Sequence, residues 1–311
     1  MVSNRSLNNR MKFLHSTNER QATVFALAAV LCWSTVATAF KLGLDGLTPR
    51  QLLFQACVFS SVIFVLANSL FGQWRLDRTL ARQAALLGML NPLLYYQILF
   101  EAYERLPAQL AQSVNYTWAI TLAILAVPML GQRPNGRTLF GIVVSYIGVL
   151  IITVGLGASE DLVWNWQGLG FAFSSTVVWA LYWILSTRVH AEPVAVMTWS
   201  FLFATPLVGI VCVFSDGIGP WTTTTLKFGL WVGVVEMGIA FLLWSMALRR
   251  TANAARIAQL IFLAPFLSLI MIERVLGEAV PASSWAGLMV IVVGVLLTGR
   301  PESATDSGRP R

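Results

Sequence analysis

The stretch that most constrains this chain runs from Pro107 to Leu130, PAQLAQSVNYTWAITLAILAVPML. At helical rise its 24 residues reach roughly 36 Å, enough to cross a bilayer. Its first half nevertheless carries Gln109, Gln112, Ser113, Asn115, Tyr116 and Thr117. On a helix Gln112, Asn115, Tyr116 and Ala119 fall three or four apart and share one face. Amides on that face cannot look at lipid without losing their hydrogen bonds, so the face meets protein or water. Polar groups of this kind can glue helices together in a membrane, or they can wall a polar cavity. Their number, beside two aromatic rings, favours the cavity.

Charge is scarce elsewhere as well. Only 11% of the 311 residues are charged and 57% are hydrophobic, against about 25% charged in soluble domains. This is an all-α polytopic membrane protein, with the lipid bilayer as its first partner. Apolar runs separated by breakers such as Thr48-Pro49, Gly131 to Pro134 and Ser215-Asp216-Gly217 place ten transmembrane helices. They lie near 22–41, 52–71, 82–102, 107–130, 137–157, 166–187, 193–214, 226–248, 252–272 and 282–299. Residues 1–21 and 300–311 are tails, and the first tail lacks the separate apolar core of a cleavable signal. Cys32, Cys57 and Cys212 sit in apolar runs without metal or redox spacing and read as small buried hydrophobes.

The net charge of +7 would suggest a nucleic-acid partner until the basic residues are placed. Lys41, Arg50, Arg105, Lys227 and Arg274 fall on one side of the ten spans and Arg256 inside one. The other 15 of the 21 lie on the side of the termini. The positive-inside rule puts both termini in the cytoplasm, and the basic charge needs no nucleic acid to explain it.

The sequence also repeats. At a shift of 146, Phe25-Ala26 meets Phe171-Ala172, Trp33 meets Trp179, Gly141 meets Gly287 and Gly148 meets Gly294. The halves, 22–157 and 158–299, hold five spans each. An odd number means that the second copy enters from the opposite side, giving two inverted five-helix repeats around a midplane site reached by alternating access. The glycines seven apart in the fifth and tenth spans suit close helix packing. Neither of these spans has a polar face, so both are expected at the periphery.

Several residues at membrane depth are candidates for that site. Glu236, central in the eighth span, costs roughly 2.5–3.5 kcal/mol on insertion scales. A carboxylate there faces a cavity, partners a substrate ammonium, carries a proton, or is held by neighbouring hydroxyls. Its repeat partner is Asn91, so the two suggest symmetric sites across a cavity. Asn91, Pro92 and Tyr95 place an amide, a kink and a phenol in the third span, with Tyr182 as a counterpart in the sixth. Trp33 and Trp179 are deep in their spans, away from the headgroups where tryptophan concentrates; they offer flat walls or simple core packing. Arg256 and Gln259 share a face of the ninth span, where Arg256 can also snorkel to the interface. Glu101 and Arg105 form an i,i+4 pair at a span end.

Other chemistry is absent from the sequence. There is no P-loop, no metalloprotease motif and no Ser/His/Asp set at membrane depth, so neither an ATP-driven pump nor an enzyme is expected, and no cofactor. The five-plus-five pattern, the Leu31-Cys32-Trp33-Ser34 start and the basic short loops resemble the drug/metabolite transporter superfamily, in its EamA-type branch. Val114-Asn115-Tyr116-Thr117-Trp118 resembles the fourth-span motif of the aromatic amino acid exporters of that branch, which continue with a proline where Ala119 stands here. The resemblance implies a bacterial-type cytoplasmic membrane protein, a basket with spans three, four, eight and nine around the cavity, and export of neutral or aromatic amino acids. Substrate contacts are then expected from Trp33, Asn91, Tyr95, Gln112, Asn115, Tyr116, Trp118, Trp179, Tyr182, Glu236 and Gln259. A broader metabolite or drug exporter of the same architecture is the alternative, and a channel a third. The charge bias makes one direct prediction. A single cysteine placed in either tail, in an otherwise cysteine-free background, stays unreactive to an impermeant maleimide until cells are permeabilised; labelling in intact cells refutes the topology.

Overall fold

The computed structural model describes residues 18–71, 74–130, 136–157, 165–251, 257–258 and 260–298. Most of both expected tails, the turn at 131–134, Arg256 and Gln259 lie outside the described residues. The first long stretch holds α1 (Glu19–Ser34) and α2 (Val36–Leu44), and α3 (Pro49–Phe71) follows. Then come α4 (Arg78–Gly88), a π-helical segment Met89–Leu94, and α5 (Tyr95–Arg105). Helices α6 (Ala108–Asn115), α7 (Trp118–Leu130) and α8 (Gly136–Gly157) complete the first half. The second half has α9 (Trp166–Ser186), α10 (Pro193–Ser215) and α11 (Thr223–Leu230), then a π-helical segment Trp231–Ala240 leading into α12 (Phe241–Arg250). It ends with α13 (Leu263–Met271) and α14 (Ala282–Thr298).

Local chemistry sets the helix starts. Asn18, Asp77 and Asn165 each accept a backbone N–H of the first turn, at 3.0, 2.8 and 2.8 Å. Thr222 and Thr225 form a reciprocal capping box, which satisfies two donors that the helix itself cannot. The first helix begins at Glu19, three residues before its expected start.

Among the described residues six helical stretches are long and apolar enough to cross a membrane: Glu19–Leu44, Pro49–Leu70, Ala108–Met129, Trp166–Ser186, Pro193–Ser215 and Thr223–Arg250. Leu139–Ile152 and Ala282–Leu297 are shorter apolar helices. The expected third span is diluted by Asn91, Gln97 and Glu101, and the expected ninth falls partly outside the described residues. Large apolar side chains such as Leu31, Leu70, Leu150, Val154, Ile210 and Phe214 point outward and are exposed. An apolar outer surface of this extent suits a lipid solvent, and the molecule is a multi-pass membrane protein.

The most extensive helix contact joins α8 to α14. A Cβ added to Gly148 would lie 2.5 Å from the Gly287 carbonyl oxygen, and one added to Gly294 would lie 2.6 Å from that of Gly141. Ser145 Oγ donates to the Ile291 carbonyl at 3.1 Å between them. Numbering therefore runs in opposite directions along the pair. The contacts are also reciprocal: Gly141 and Gly287 are partners at the 146 shift, as are Gly148 and Gly294, and each touches the other pair's member. Ser145 and Ile291 are themselves 146 apart. Reciprocity of this kind is what a two-fold axis between two helices gives. Helices α3 and α10 also pack antiparallel, through Ser61 and Thr205 (2.8 Å) and Thr198 Oγ1 to the Phe64 carbonyl (3.1 Å).

Gly148→Ala is expected to force α8 and α14 apart at a cost of about 1–3 kcal/mol and to lower the thermal midpoint of the purified protein. Gly170→Ala, where an added Cβ meets nothing within 4 Å, serves as the control and should hold or raise it. Equal midpoints in the two variants would sink the close-packing account.

Candidate functional site

A cavity of about 650 Å³ lies between the two halves. Of the residues expected at the site, Trp33, Tyr95, Gln112, Asn115, Tyr116, Trp118, Trp179 and Glu236 line it. Asn91 and Tyr182 do not. Asn91 is buried beside Tyr182, and Tyr182 stacks on the far side of the wall against Trp179, with centroids 5.4 Å apart and planes at 22°. The expected symmetry between Asn91 and Glu236 therefore fails: only Glu236 faces the cavity. Asn91 is at the helix break instead, with extended backbone (φ −144°, ψ 116°) ahead of Pro92, as the residue before a proline prefers.

The wall is wider than spans three, four, eight and nine. Trp33 and Phe40 come from the first stretch and Trp179 and Trp183 from α9. Val295 and Leu296 of α14 reach its margin, so this helix is less peripheral than its apolar faces suggest. Sequence reasoning missed Phe40, Tyr96, Trp183, Phe241 and Trp244. Spacing offers a partial signal, since Trp179 and Trp183 are four apart and share a helical face.

The rings form one connected surface. Trp179 stacks on Tyr95 (4.3 Å, 27°) and meets Trp118, Trp183 and Phe241 edge-on at 6.4, 5.8 and 6.0 Å. Trp33 joins Phe241 (5.7 Å) and Trp244 (5.3 Å). Offset and edge-on pairs of this kind add about 0.5–1.5 kcal/mol each beyond their buried area.

Glu236 sits in the π-helical segment Trp231–Ala240 and is 5% exposed. Tyr96 donates its hydroxyl to Oε1 at 2.6 Å, while Oε2 has no partner. Asn115 is held by two hydrogen bonds within the protein. Its Oδ1 accepts from the Tyr95 hydroxyl at 3.3 Å, and its Nδ2 donates to Ser175 Oγ at 3.0 Å. It thus ties α6 to both α5 and α9. The helix breaks just beyond it, at Tyr116 and Thr117, although Ala119 replaces the proline of the resembled motif. Thr117 holds the turn by donating Oγ1 to the Val114 carbonyl at 2.7 Å, and the break swings Tyr116 and Trp118 onto the cavity.

Exposure rises from one end of the cavity to the other. Phe40, Leu99 and Tyr103 are buried at one end, whereas Thr187, Ala258 and Leu296 are exposed at the other. Phe40 plugs the closed end against Phe100 (4.5 Å) and Tyr103 (5.3 Å). Behind it lies a polar layer. Lys41 Nζ donates to the carbonyls of Tyr103 and Leu106 at 2.8 and 2.9 Å, and Glu278 accepts from the Ala108 N–H at 3.1 Å. Arg105 pairs with Glu101, and Arg50 bridges Glu101 (3.7 Å) and Asp216 (3.1 Å).

The model of the EamA-like transporter family matches twice, over residues 20–154 and 166–300. The chain belongs to that family. Curated relatives include the aromatic amino acid exporter YddG of Ancylobacter novellus, 24% identical over 88% of this chain and 94% of that one. A probable terminal-alkyne amino-acid exporter of Streptantibioticus cattleyicolor is 26% identical over 92% and 98%. A probable amino-acid metabolite efflux pump of Escherichia coli is 23% identical over 89% and 94%. A solved crystal structure shares the fold with a TM-score of 0.65 at 20% identity, over 91% of this chain and 97% of its own. Family and relatives together make this a transporter of the drug/metabolite superfamily rather than an enzyme.

The two neighbours in the NYTW motif should separate in experiment. Asn115→Ala takes the acceptor from the buried Tyr95 hydroxyl, at about 1–3 kcal/mol for an unsatisfied group, while Ser175 still donates to the Ala172 carbonyl at 2.7 Å; the variant is expected to lower both thermal midpoint and transport. Tyr116→Ala, half-buried on the cavity, should lower transport at an unchanged midpoint. Parental transport in Tyr116→Ala, or a parental midpoint in Asn115→Ala, contradicts these roles.

Proposed function

We propose that the protein exports amino acids, neutral or aromatic, from the cytoplasm by alternating access. In this reading ten helices cross the membrane as two inverted five-helix repeats, with both termini in the cytoplasm. The observation that carries it is a cavity built from both halves, walled by aromatic rings, closed at one end and open at the other. The reciprocal contacts of α8 and α14 support inversion, since an axis perpendicular to antiparallel helices exchanges the membrane's two sides. Three relatives named as exporters of amino acids or their metabolites support the substrate class.

The positive-inside bias assigns the open Thr187 end to the cytoplasm. The structure then represents the state that takes up substrate, and the Phe40 plug with its polar layer is the barrier on the outer side. Trp33, Tyr95, Gln112, Tyr116, Trp118, Trp179 and Glu236 are the proposed substrate contacts. Asn115 positions Tyr95, and Asn91 and Tyr182 support the wall from behind. The volume lies within the range of about 300–1,000 Å³ usual for small-molecule sites.

The test is counterflow in proteoliposomes with a panel of neutral and aromatic amino acids, nucleosides and a cationic dye. Saturable, mutually competitive amino acid flux is expected. No amino acid flux alongside dye transport would favour the broader exporter, and flux that never saturates would favour a channel.

A further inference from the structure

Among the described residues Glu236 is the one charged residue that lines the cavity. No lysine, arginine or histidine lines it among the described residues: Lys41 is spent on the Tyr103 and Leu106 carbonyls, and Arg50 and Arg105 on the carboxylates of the closed end. The carboxylate is 5% exposed and keeps Oε2 without a partner. Gln112, also buried and on the wall, keeps its acceptor Oε1 without one. Both are buried acceptors on residues of the cavity wall, and leaving such groups unpaired is costly, so each favours a ligand that brings a donor. The same cavity is lined by the rings of Trp33, Tyr95, Tyr96, Trp179 and Phe241, and an aromatic face attracts a cation by about 0.5–2 kcal/mol, more as water is excluded.

The opposite charge finds no such reception. A substrate carboxylate would have only neutral donors. Of the two N–H bonds of the Asn115 amide, one is given to Ser175. Burying an anion without a counter-charge is costly. A substrate's carboxylate, where it has one, would then be accommodated towards the open end, still in water.

We propose that the cavity selects its substrates by their ammonium group, held by Glu236 and Gln112 within an aromatic cage, so that primary amines with a flat apolar body are bound without needing an α-carboxylate. The proposal deepens the exporter reading and rests on it for the direction of movement, while the recognition itself is a property of the cavity at equilibrium.

Three ligands of one shape separate the charges: phenylalanine, 2-phenylethylamine, which lacks the carboxylate, and 3-phenylpropionate, which lacks the amine. Calorimetric titration of the purified full-length protein is expected to give 2-phenylethylamine an affinity at least equal to that of phenylalanine. Both should bind about tenfold or more tightly than 3-phenylpropionate, the scale of a charge-assisted hydrogen bond. Glu236→Gln should collapse that ranking, while Gly170→Ala, away from the cavity lining and with nothing within 4 Å of the added Cβ, should preserve it. Equal or tighter binding of 3-phenylpropionate by the parent protein overturns the proposal without any variant. So does a folded Glu236→Gln that keeps the parental ranking.

Flux measured in parallel, in vesicles of phosphatidylcholine and phosphatidylglycerol that carry no primary amine, keeps the two readings apart. Amine-selective binding without transport of any ligand leaves the recognition standing and removes the exporter. Saturable amino acid flux inhibited equally by 3-phenylpropionate leaves the exporter standing and removes the recognition.

Discussion

A bilayer offers no water to a broken helix, so each interruption of backbone hydrogen bonding must be hidden inside the protein or face an aqueous space. Most of the interruptions among the described residues lie at or beside the cavity, the π-helical segment Ile272–Leu276 being an exception. The first long stretch breaks at Thr35, between the cavity residues Trp33 and Val36. The third breaks at Asn91, one turn before Tyr95, and the fourth at Tyr116 and Thr117. The eighth loosens into a π-helix around Glu236, and a short 3₁₀ turn at Leu260–Phe262 also touches the cavity. By contrast α3, α8, α10 and α14 are long and continuous. Unbroken helices form the frame, and broken ones supply most of the site. Two continuous helices also reach it, α9 with Trp179 and Trp183 and α14 with Val295 and Leu296 at the margin.

The frame is legible in the sequence because it obeys simple periodic rules. Apolar runs, caps and the common shift of 146 place its helices, and the glycines seven apart announce the contact of α8 with α14. The polar face of Pro107 to Leu130 points to a cavity for a sound physical reason, namely that amides cannot face lipid. What cannot be read is the register beyond each break. Glu236 and Phe241 are five apart and would diverge on an α-helix, yet both line the cavity because the π-helical segment widens the turn. Tyr96 escapes notice for a similar reason: beyond Asn91 the helical phase is reset, and the hydroxyl that meets Glu236 belongs to a residue 140 positions away.

Neighbours reshape two expectations. Asn115 lines the cavity, but Tyr95 and Ser175 each take one hydrogen bond of its amide. The repeat made Asn91 the counterpart of Glu236, and yet proline at position 92 turned that place into a bend. A duplicated sequence thus gives equivalent positions without giving equivalent environments, and the cavity acquires a single sign of charge on one side.

The aromatic wall has a consequence outside binding. Trp118 and Trp183 are stacked 6.5 Å apart at 23°, and Trp179 stands perpendicular to both. Indoles this close share their electronic excitations, so their near-ultraviolet dichroism depends on the relative tilt of the three rings. A molecule entering among them, or a rocking of one half that tilts α9 against α7, rewrites that signal. The protein carries its own chromophore in the cavity wall, and any rearrangement there can be followed optically without attaching a label.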